Sequence, residues 1–203
     1  MSRTAKQAHR TLAMFLGIFV AIHFTAHLAA LDSIAAHKSV LDFGRAIYRI
    51  LPIEIALLAA FAVQIVLGIQ LLRIITKRVR KGFWHYAQFT SGVILAVFIT
   101  VHSSAAIIAR WQFDLDTNFY WAAGSLTVSP LKYGFFPYYF LAVTAFFTHL
   151  LAALHFRKAR PWQPYALALG PAAAILMMLG YSGFLHTVVL PEPHQDYFAY
   201  YLP

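Results

Sequence analysis

Long apolar runs alternate with short polar connections along the whole chain. An α-helix needs roughly 20 apolar residues to cross a hydrocarbon core about 30 Å thick, and five runs are long enough. They are Leu12–Leu31, Leu51–Leu72, Tyr86–Ala109, Phe136–Phe156 and Pro164–Leu190. Each should be helical, because lipid offers no partner to an unpaired backbone group. The pattern predicts an all-α protein, one transmembrane domain of 203 residues built as a five-helix bundle.

Two of the connections carry structure of their own. Between Asp32 and Ile50, apolar residues recur at roughly helical spacing, which predicts a short interfacial helix. The aromatic segment from Arg110 to Phe135 should fold back as a cap over the bundle. The tail after Pro191 is short and aromatic, and it indicates no role.

The composition supports the membrane interpretation and limits the residues that could hold a metal. The chain is 61% hydrophobic and only 11% charged, whereas soluble domains have about 25% charged residues. The basic N-terminus resembles a secretory signal, but its apolar run exceeds the ~7–15 residues of a signal peptide, so we interpret it as the first span. Cysteine is absent, so any bound metal must be held by histidine, methionine or oxygen.

The net charge of +9 is distributed as a topology signal. The N-terminal arm and the second and fourth connections hold 11 of the 16 basic residues and no acid. These residues are Arg3, Lys6, Arg10, Arg73, Lys77, Arg78, Arg80, Lys81, Arg157, Lys158 and Arg160. All seven acids lie on the other side. The positive-inside rule then predicts a cytoplasmic N-terminus and an outward-facing C-terminus.

Histidines inside the apolar runs are the main candidates for function, because ionisable residues are costly within a membrane. His27 on the first helix and His102 on the third should lie at similar depths near the outer side, given a rise of about 1.5 Å per residue. Two imidazoles that face each other can hold the iron of a low-spin haem. Alternatively, each histidine only hydrogen-bonds a neighbouring helix.

A second haem site on the inner side is only half present. His149 of the fourth helix lies at that depth, but the second helix offers Gln64, which is not a normal haem ligand. His23, one turn deeper than His27, is either a partner for His149 or a core histidine. His9, His37 and His194 should be solvated, whereas His85, His155 and His186 should be interfacial.

Glu54 is the one acid at the start of an apolar helix, on the side of His27 and His102. A carboxylate there can simply interact favourably with the helix dipole. It can also accept a proton from a quinol bound beside the outer haem.

These segments together resemble the single-chain, five-helix cytochrome b subunit of the succinate:quinone reductase and quinol:fumarate reductase family. The resemblance spans nearly the whole chain. The matching stretches are Ala26-His27-Leu28, the run from Leu51-Pro52 to Gly68, Thr90-Ser91-Gly92-Val93 with His102, and Phe147-Thr148-His149. By position, His27 and His102 match the outer haem ligands, and His149 matches one inner ligand. Gln64 replaces the other inner ligand, and Phe89 stands where an arginine is expected near a haem propionate.

The resemblance implies a haem b-binding anchor in a bacterial inner membrane, with one haem and room in the pattern for two. It also implies a quinone substrate, and flavoprotein and iron–sulfur partner subunits docked on the basic cytoplasmic face. Two alternatives remain open. One is a cytochrome b subunit of another respiratory or photosynthetic complex, and the other is a haem-free structural subunit.

Overall fold

The chain folds into long helices joined by short connections. The structure, a computed structural model, describes residues 3–77 and 82–202. In chain order the helices are α1 (Arg3–Ala29), α2 (Ile34–Tyr48), α3 (Leu51–Lys77), α4 (Phe83–Gln112), α5 (Phe119–Thr127), α6 (Lys132–Arg157), α7 (Gln163–Ala166), α8 (Leu169–Tyr181) and α9 (Glu192–Ala199). The all-α prediction is confirmed. Of the basic residues in the second connection, Arg78, Arg80 and Lys81 lie outside the described residues.

Five helical stretches are long and apolar enough to cross a membrane, which makes the chain a multi-pass membrane protein. They are α1, α3, α4, α6 and the α7–α8 pair. Large apolar side chains such as Ile18, Val63 and Ile175 are exposed on their outer surfaces. These surfaces suit contact with lipid.

Two predicted helix limits differ from the structure more than the others do. α1 begins at Arg3 rather than Leu12, because the polar residues before Leu12 continue the helix and hydropathy does not detect them. The prediction that the last helix reaches Leu190 is wrong, since α8 ends at Tyr181. Gly183 then turns the chain with a φ of +80°, a conformation that favours glycine.

The spanning helices form a closed ring. Each packs on the next in the order α1, α3, α4, α6, α8, and α8 packs back on α1. The shorter α2, α5 and α9 lie together at one end, which we call the capped end. The helix predicted between Asp32 and Ile50 is confirmed as α2. Ser33 caps α2 by accepting from the amide of Ala36, and Asn118 caps α5 by accepting from the amide of Tyr120.

The ring closes through a close approach between α8 and the end of α1. A Cβ atom added to Gly180 would lie 2.9 Å from the Cβ of Ala30. A glycine at this position therefore brings the two backbones together, and it places the next residue, Tyr181, against α1. The backbone of Ala30 makes a second contact, because His186 Nε2 lies 2.9 Å from its carbonyl oxygen.

We expect Gly180→Ala to destabilise the folded chain by about 1–3 kcal/mol, because the added methyl forces α8 away from Ala30. Thermal unfolding in detergent measures the effect as a lower Tm. Gly17→Ala in α1 is the matched control, since nothing lies within 4 Å of its added Cβ and alanine favours a helix over glycine by about 0.5–1 kcal/mol. Equal Tm changes in the two variants would contradict the close-approach argument.

Candidate functional site

The ring of helices encloses a cavity of about 290 Å³ toward the capped end. This volume is at the lower limit of the roughly 300–1,000 Å³ typical of ligand pockets. The wall is mostly apolar and aromatic, and all five spanning regions contribute to it along with α2 and α5. Its polar and aromatic members include His23, His27, His37, Glu54, His102, Trp121, Tyr139 and Tyr181. Trp121 comes from α5, so the predicted cap does cover this space.

His27 is held between two polar partners. Its Nδ1 lies 2.6 Å from the hydroxyl oxygen of Tyr181 on α8, and its Nε2 lies 3.0 Å from Nε2 of His23. His23 and His27 share a face of α1 because they are four residues apart. The close packing at Gly180 places Tyr181 where it can make this bond. The imidazole of His27 is thereby oriented with Nε2 directed toward His23.

His102 approaches the same pair from α4. Its ring centre lies 6.2 Å from that of His23, and its ring stacks on Phe98 with centres 5.1 Å apart. Trp121 packs on it at 5.8 Å. The sequence predicted that His27 would face His102, with His23 elsewhere in the core or beside His149. In the structure His23 makes the close ring contact with His102, and His27 adjoins His23.

His37 is a fourth histidine in the cavity wall, and the prediction that it is solvated is wrong. It is 3% exposed, and its ring centre lies 5.6 Å from that of Tyr181 and 6.3 Å from that of His27. Its Nδ1 has no hydrogen-bond partner among the described residues. His37, Leu41 and Gly44 form the buried face of α2, so helical periodicity in that segment could have identified it.

Two further histidines expected in solvent are also placed differently. His194 is 4% exposed, and its Nε2 lies 3.0 Å from the Asp116 carbonyl oxygen. His9 is half-buried within α1 rather than in a loop, because the helix begins at Arg3. Its Nε2 lies 3.4 Å from Nε2 of Gln64.

Searches against known proteins give this cavity no assigned role. No family model matches the chain, and searches of the curated proteins and of the solved structures return no significant match. In residues 3–77 and 82–202, no group of three or more His, Cys, Asp or Glu side chains is arranged to hold a metal ion. A metal held by only two imidazoles is a different arrangement, and the histidines of the cavity offer that ligand set.

The predicted inner site has partners of its own at the end opposite the cap. Gln88 Nε2 lies 2.9 Å from Nε2 of His149, and Ser91 Oγ lies 3.1 Å from its Nδ1. A Cβ at Gly92 would lie 3.2 Å from the His149 ring, so glycine leaves room for the imidazole there. Gln64 instead contacts His9, which is near enough to His149 to interact with it electrostatically.

Glu54 lies on the wall of the cavity and forms an ion pair. Both of its carboxylate oxygens accept from the guanidinium of Arg110, one of them at 3.3 Å. Its partner is therefore an arginine of α4. Arg49 also lines the cavity and donates to Thr117 Oγ1 at 2.8 Å.

The stability of the fold should depend on pH through His37. Burial, and then the positive charge of Arg45, lowers its pKa from 6.5 to about 4, while Asp42 acts in the opposite direction. The unfolded chain takes up this proton below about pH 6.5 and the folded chain only near pH 4. The free energy of unfolding should therefore fall as the pH drops through this window and level off below it.

We expect the Tm of His37→Asn to fall less than that of the unsubstituted protein between pH 6.5 and pH 4. These limits are the pKa values of His37 in the unfolded and the folded chain. Melting curves across that range in one detergent provide the measurement. His85→Asn, a half-exposed histidine at the other end of the bundle, is the control. Parallel pH profiles for His37→Asn and the parent would show that His37 does not carry the effect.

Proposed function

We propose that this chain is a haem b-binding membrane-anchor subunit of a succinate dehydrogenase or fumarate reductase type complex. It would transfer electrons between an iron–sulfur partner and a quinone. The observation that carries the proposal is the placement of three imidazoles, His23, His27 and His102, around one apolar cavity inside a closed ring of spanning helices.

The ligand set of the cavity fits a haem. Two imidazoles from different helices can hold the iron of a low-spin haem. The His23 and His102 ring centres are 6.2 Å apart. His27 has the second-sphere bond typical of a ligating histidine, since its other ring nitrogen contacts Tyr181. His102 with either His27 or His23 would hold the iron.

A haem bound there would supply one-electron transfer, and the chain would supply position and environment. Tyr181 would keep the His27 ring in one orientation. Phe98 and Trp121, packed on His102, would fix that ring and exclude water from it. The apolar wall would favour the less charged state of the centre, because burial penalises charge.

A quinone site beside this cavity is part of the proposal. Glu54 lines the cavity and comes from the first turn of α3. Oxidation of a quinol releases two protons, and a carboxylate at the edge of the site can accept one of them. Arg110 would hold Glu54 in its ionised form, which is the form that can accept a proton.

The same proposal includes location and partners. By the positive-inside rule the uncapped end, where the basic residues concentrate, faces the cytoplasm, and the capped end faces outward. The membrane would be the bacterial inner membrane. Flavoprotein and iron–sulfur subunits would dock on the basic cytoplasmic face. A cytochrome b subunit of another respiratory or photosynthetic complex would use the same cavity.

A haem-free structural subunit is the second candidate, and one observation favours it. The bond between His27 and Tyr181 joins α1 to α8 without any cofactor, as polar side chains between membrane helices often do. A reduced-minus-oxidised spectrum of the purified chain distinguishes the two, because only the haem protein has an α-band in the b-type region. Co-purifying subunits identify the complex.

We expect His102→Ala and His27→Ala each to abolish the low-spin haem spectrum, because each substitution removes one of the two imidazoles that would hold the iron. Reduced-minus-oxidised spectra of the purified variants measure this. His23→Ala is the decisive comparison, and His85→Ala is a control away from the cavity. If His23→Ala abolishes the spectrum and His27→Ala does not, then His23 is the ligand. Full spectra in all three variants would refute the assignment of these histidines as haem ligands.

We expect one haem per chain, because Gln64 and His149 do not supply two imidazoles at the inner site. A pyridine haemochrome assay against protein concentration gives the stoichiometry. A ratio near two would mean that another residue completes a centre with His149, and His149→Ala should then return the ratio to one.

We expect Glu54→Gln to keep its haem spectrum and to assemble normally while losing most quinone-linked electron transfer. Glutamine keeps the size and hydrogen bonding of the side chain but cannot accept the proton. Turnover with a soluble quinol analogue provides the measurement. Asp42→Asn, an exposed acid at the same end paired with Lys38, is the matched control. Unchanged turnover in Glu54→Gln would leave Glu54 as the structural partner of Arg110.

A further inference from the structure

Three arginines lie at the mouth of the cavity. Arg45 lies in the last turn of α2, Arg49 caps its C-terminus, and Arg110 lies in the last turn of α4. All three line the cavity. Arg49 and Arg110 also line a depression of about 460 Å³ at the capped end. The arginines therefore form a polar rim between an apolar interior and the surface of the protein.

The three arginines of the rim differ in their hydrogen-bond partners. Arg110 is paired with Glu54, and Arg45 Nη2 lies 2.7 Å from Asp116 Oδ1. Arg49 donates to the neutral hydroxyl of Thr117 at 2.8 Å. Arg45 Nε is buried without a hydrogen-bond partner among the described residues. Burial, followed by repulsion from Arg45 and Arg110, lowers the pKa of Arg49. Asp114 and Asp116 line the depression together with Arg49 and Arg110. Of the three arginines, Arg49 is the one whose hydrogen bond goes to a neutral group.

The shape and charge of this region together suit one class of ligand. Its body would be large, flat and apolar, to pack among Phe98, Trp121 and the histidines, and its edge would carry anionic groups. A guanidinium group binds a carboxylate with two parallel hydrogen bonds and keeps its charge in a partly buried setting. The unpartnered Nε of Arg45, and the guanidinium of Arg49 with its hydrogen bond to a neutral hydroxyl, offer such donors at the mouth.

We propose that Arg45, Arg49 and Arg110 bind the carboxylates of the haem, and that Arg49 is the principal contact. This inference rests on the proposed haem function. The propionates would lie at the rim, toward the capped end, and the ring would lie inward between the histidines. The arginines would then act as positioning residues, because they hold the edge of the cofactor and do not ligate its iron.

Arg49 is the best residue to change. Removing Arg110 or Arg45 would leave Glu54 or Asp116 without its partner, and an unpaired carboxylate is itself destabilising. Arg49 donates its hydrogen bond to the hydroxyl of Thr117, which can bond to water when Arg49 is lost. Arg157→Gln is the matched control, because Arg157 is exposed at the end of α6 away from the cap and the net charge changes equally.

The test compares haem with haem dimethyl ester, in which both carboxylates are blocked. Each is titrated into the purified, haem-depleted full-length chain in neutral detergent, and the low-spin absorbance band gives Kd. We expect the unsubstituted chain to bind free-acid haem at least about tenfold more tightly than the ester, which corresponds to about 1.4 kcal/mol. Arg49→Gln should lose most of that preference, Arg49→Lys should retain part of it, and Arg157→Gln should keep it.

The failures of this inference and of the haem proposal are distinguishable. Equal Kd values for haem and ester in the unsubstituted chain, with a normal low-spin band, would overturn the arginine site and leave the histidine ligands standing. An undiminished preference in correctly folded Arg49→Gln, as judged by its Tm, would also overturn the assignment of Arg49. No low-spin band with either compound would overturn both. Phosphatidylglycerol added to the detergent tests lipid phosphate as the occupant, and loss of the preference at low lipid content would favour the lipid.

Discussion

The contact between Ala30 and Gly180 is the constraint on which the rest of the bundle depends. In lipid the apolar outer faces of the helices gain little by packing on one another, so close backbone contact has to hold the ring closed. The approach of α8 to α1 at this point completes the ring. It also brings the hydroxyl of Tyr181 to His27. One small residue therefore links the closure of the bundle to the orientation of an imidazole inside it.

The capped end differs from the other end in the way its polar groups are used. There, α5 packs on both α2 and α9. The arginines of the rim pair with Asp116 in a connection and with Glu54 at the start of α3. Asp116 contacts both α2 and α9, since its carboxylate accepts from Arg45 and its carbonyl oxygen contacts His194. The cap over the cavity is thus held by ion pairs and by hydrogen bonds to the backbone, whereas the walls are held by apolar packing.

The sequence predicted the helices well, because lipid leaves a span no alternative to helix. It predicted the histidines less well. The rise per residue gives the depth of His27 and His102 to within about a turn. The tilt and stagger of the helices decide which turn of α1 faces which turn of α4, and both depend on packing. This is why His23 contacts the His102 ring most closely. His9 was missed for another reason, since hydropathy does not mark the polar start of α1 as helix.

The bond between His23 and His27 constrains where protons lie inside the cavity. Two Nε2 atoms 3.0 Å apart can share only one hydrogen. If His27 carries its proton on Nδ1 and donates it to the Tyr181 oxygen, its Nε2 has a free lone pair and His23 must be the Nε2–H tautomer. The tautomer of one ring thus dictates that of the other. An electrophile that binds the lone pair of His27 must first displace the N–H of His23. The hydrogen bond from His23 therefore lowers the basicity of His27.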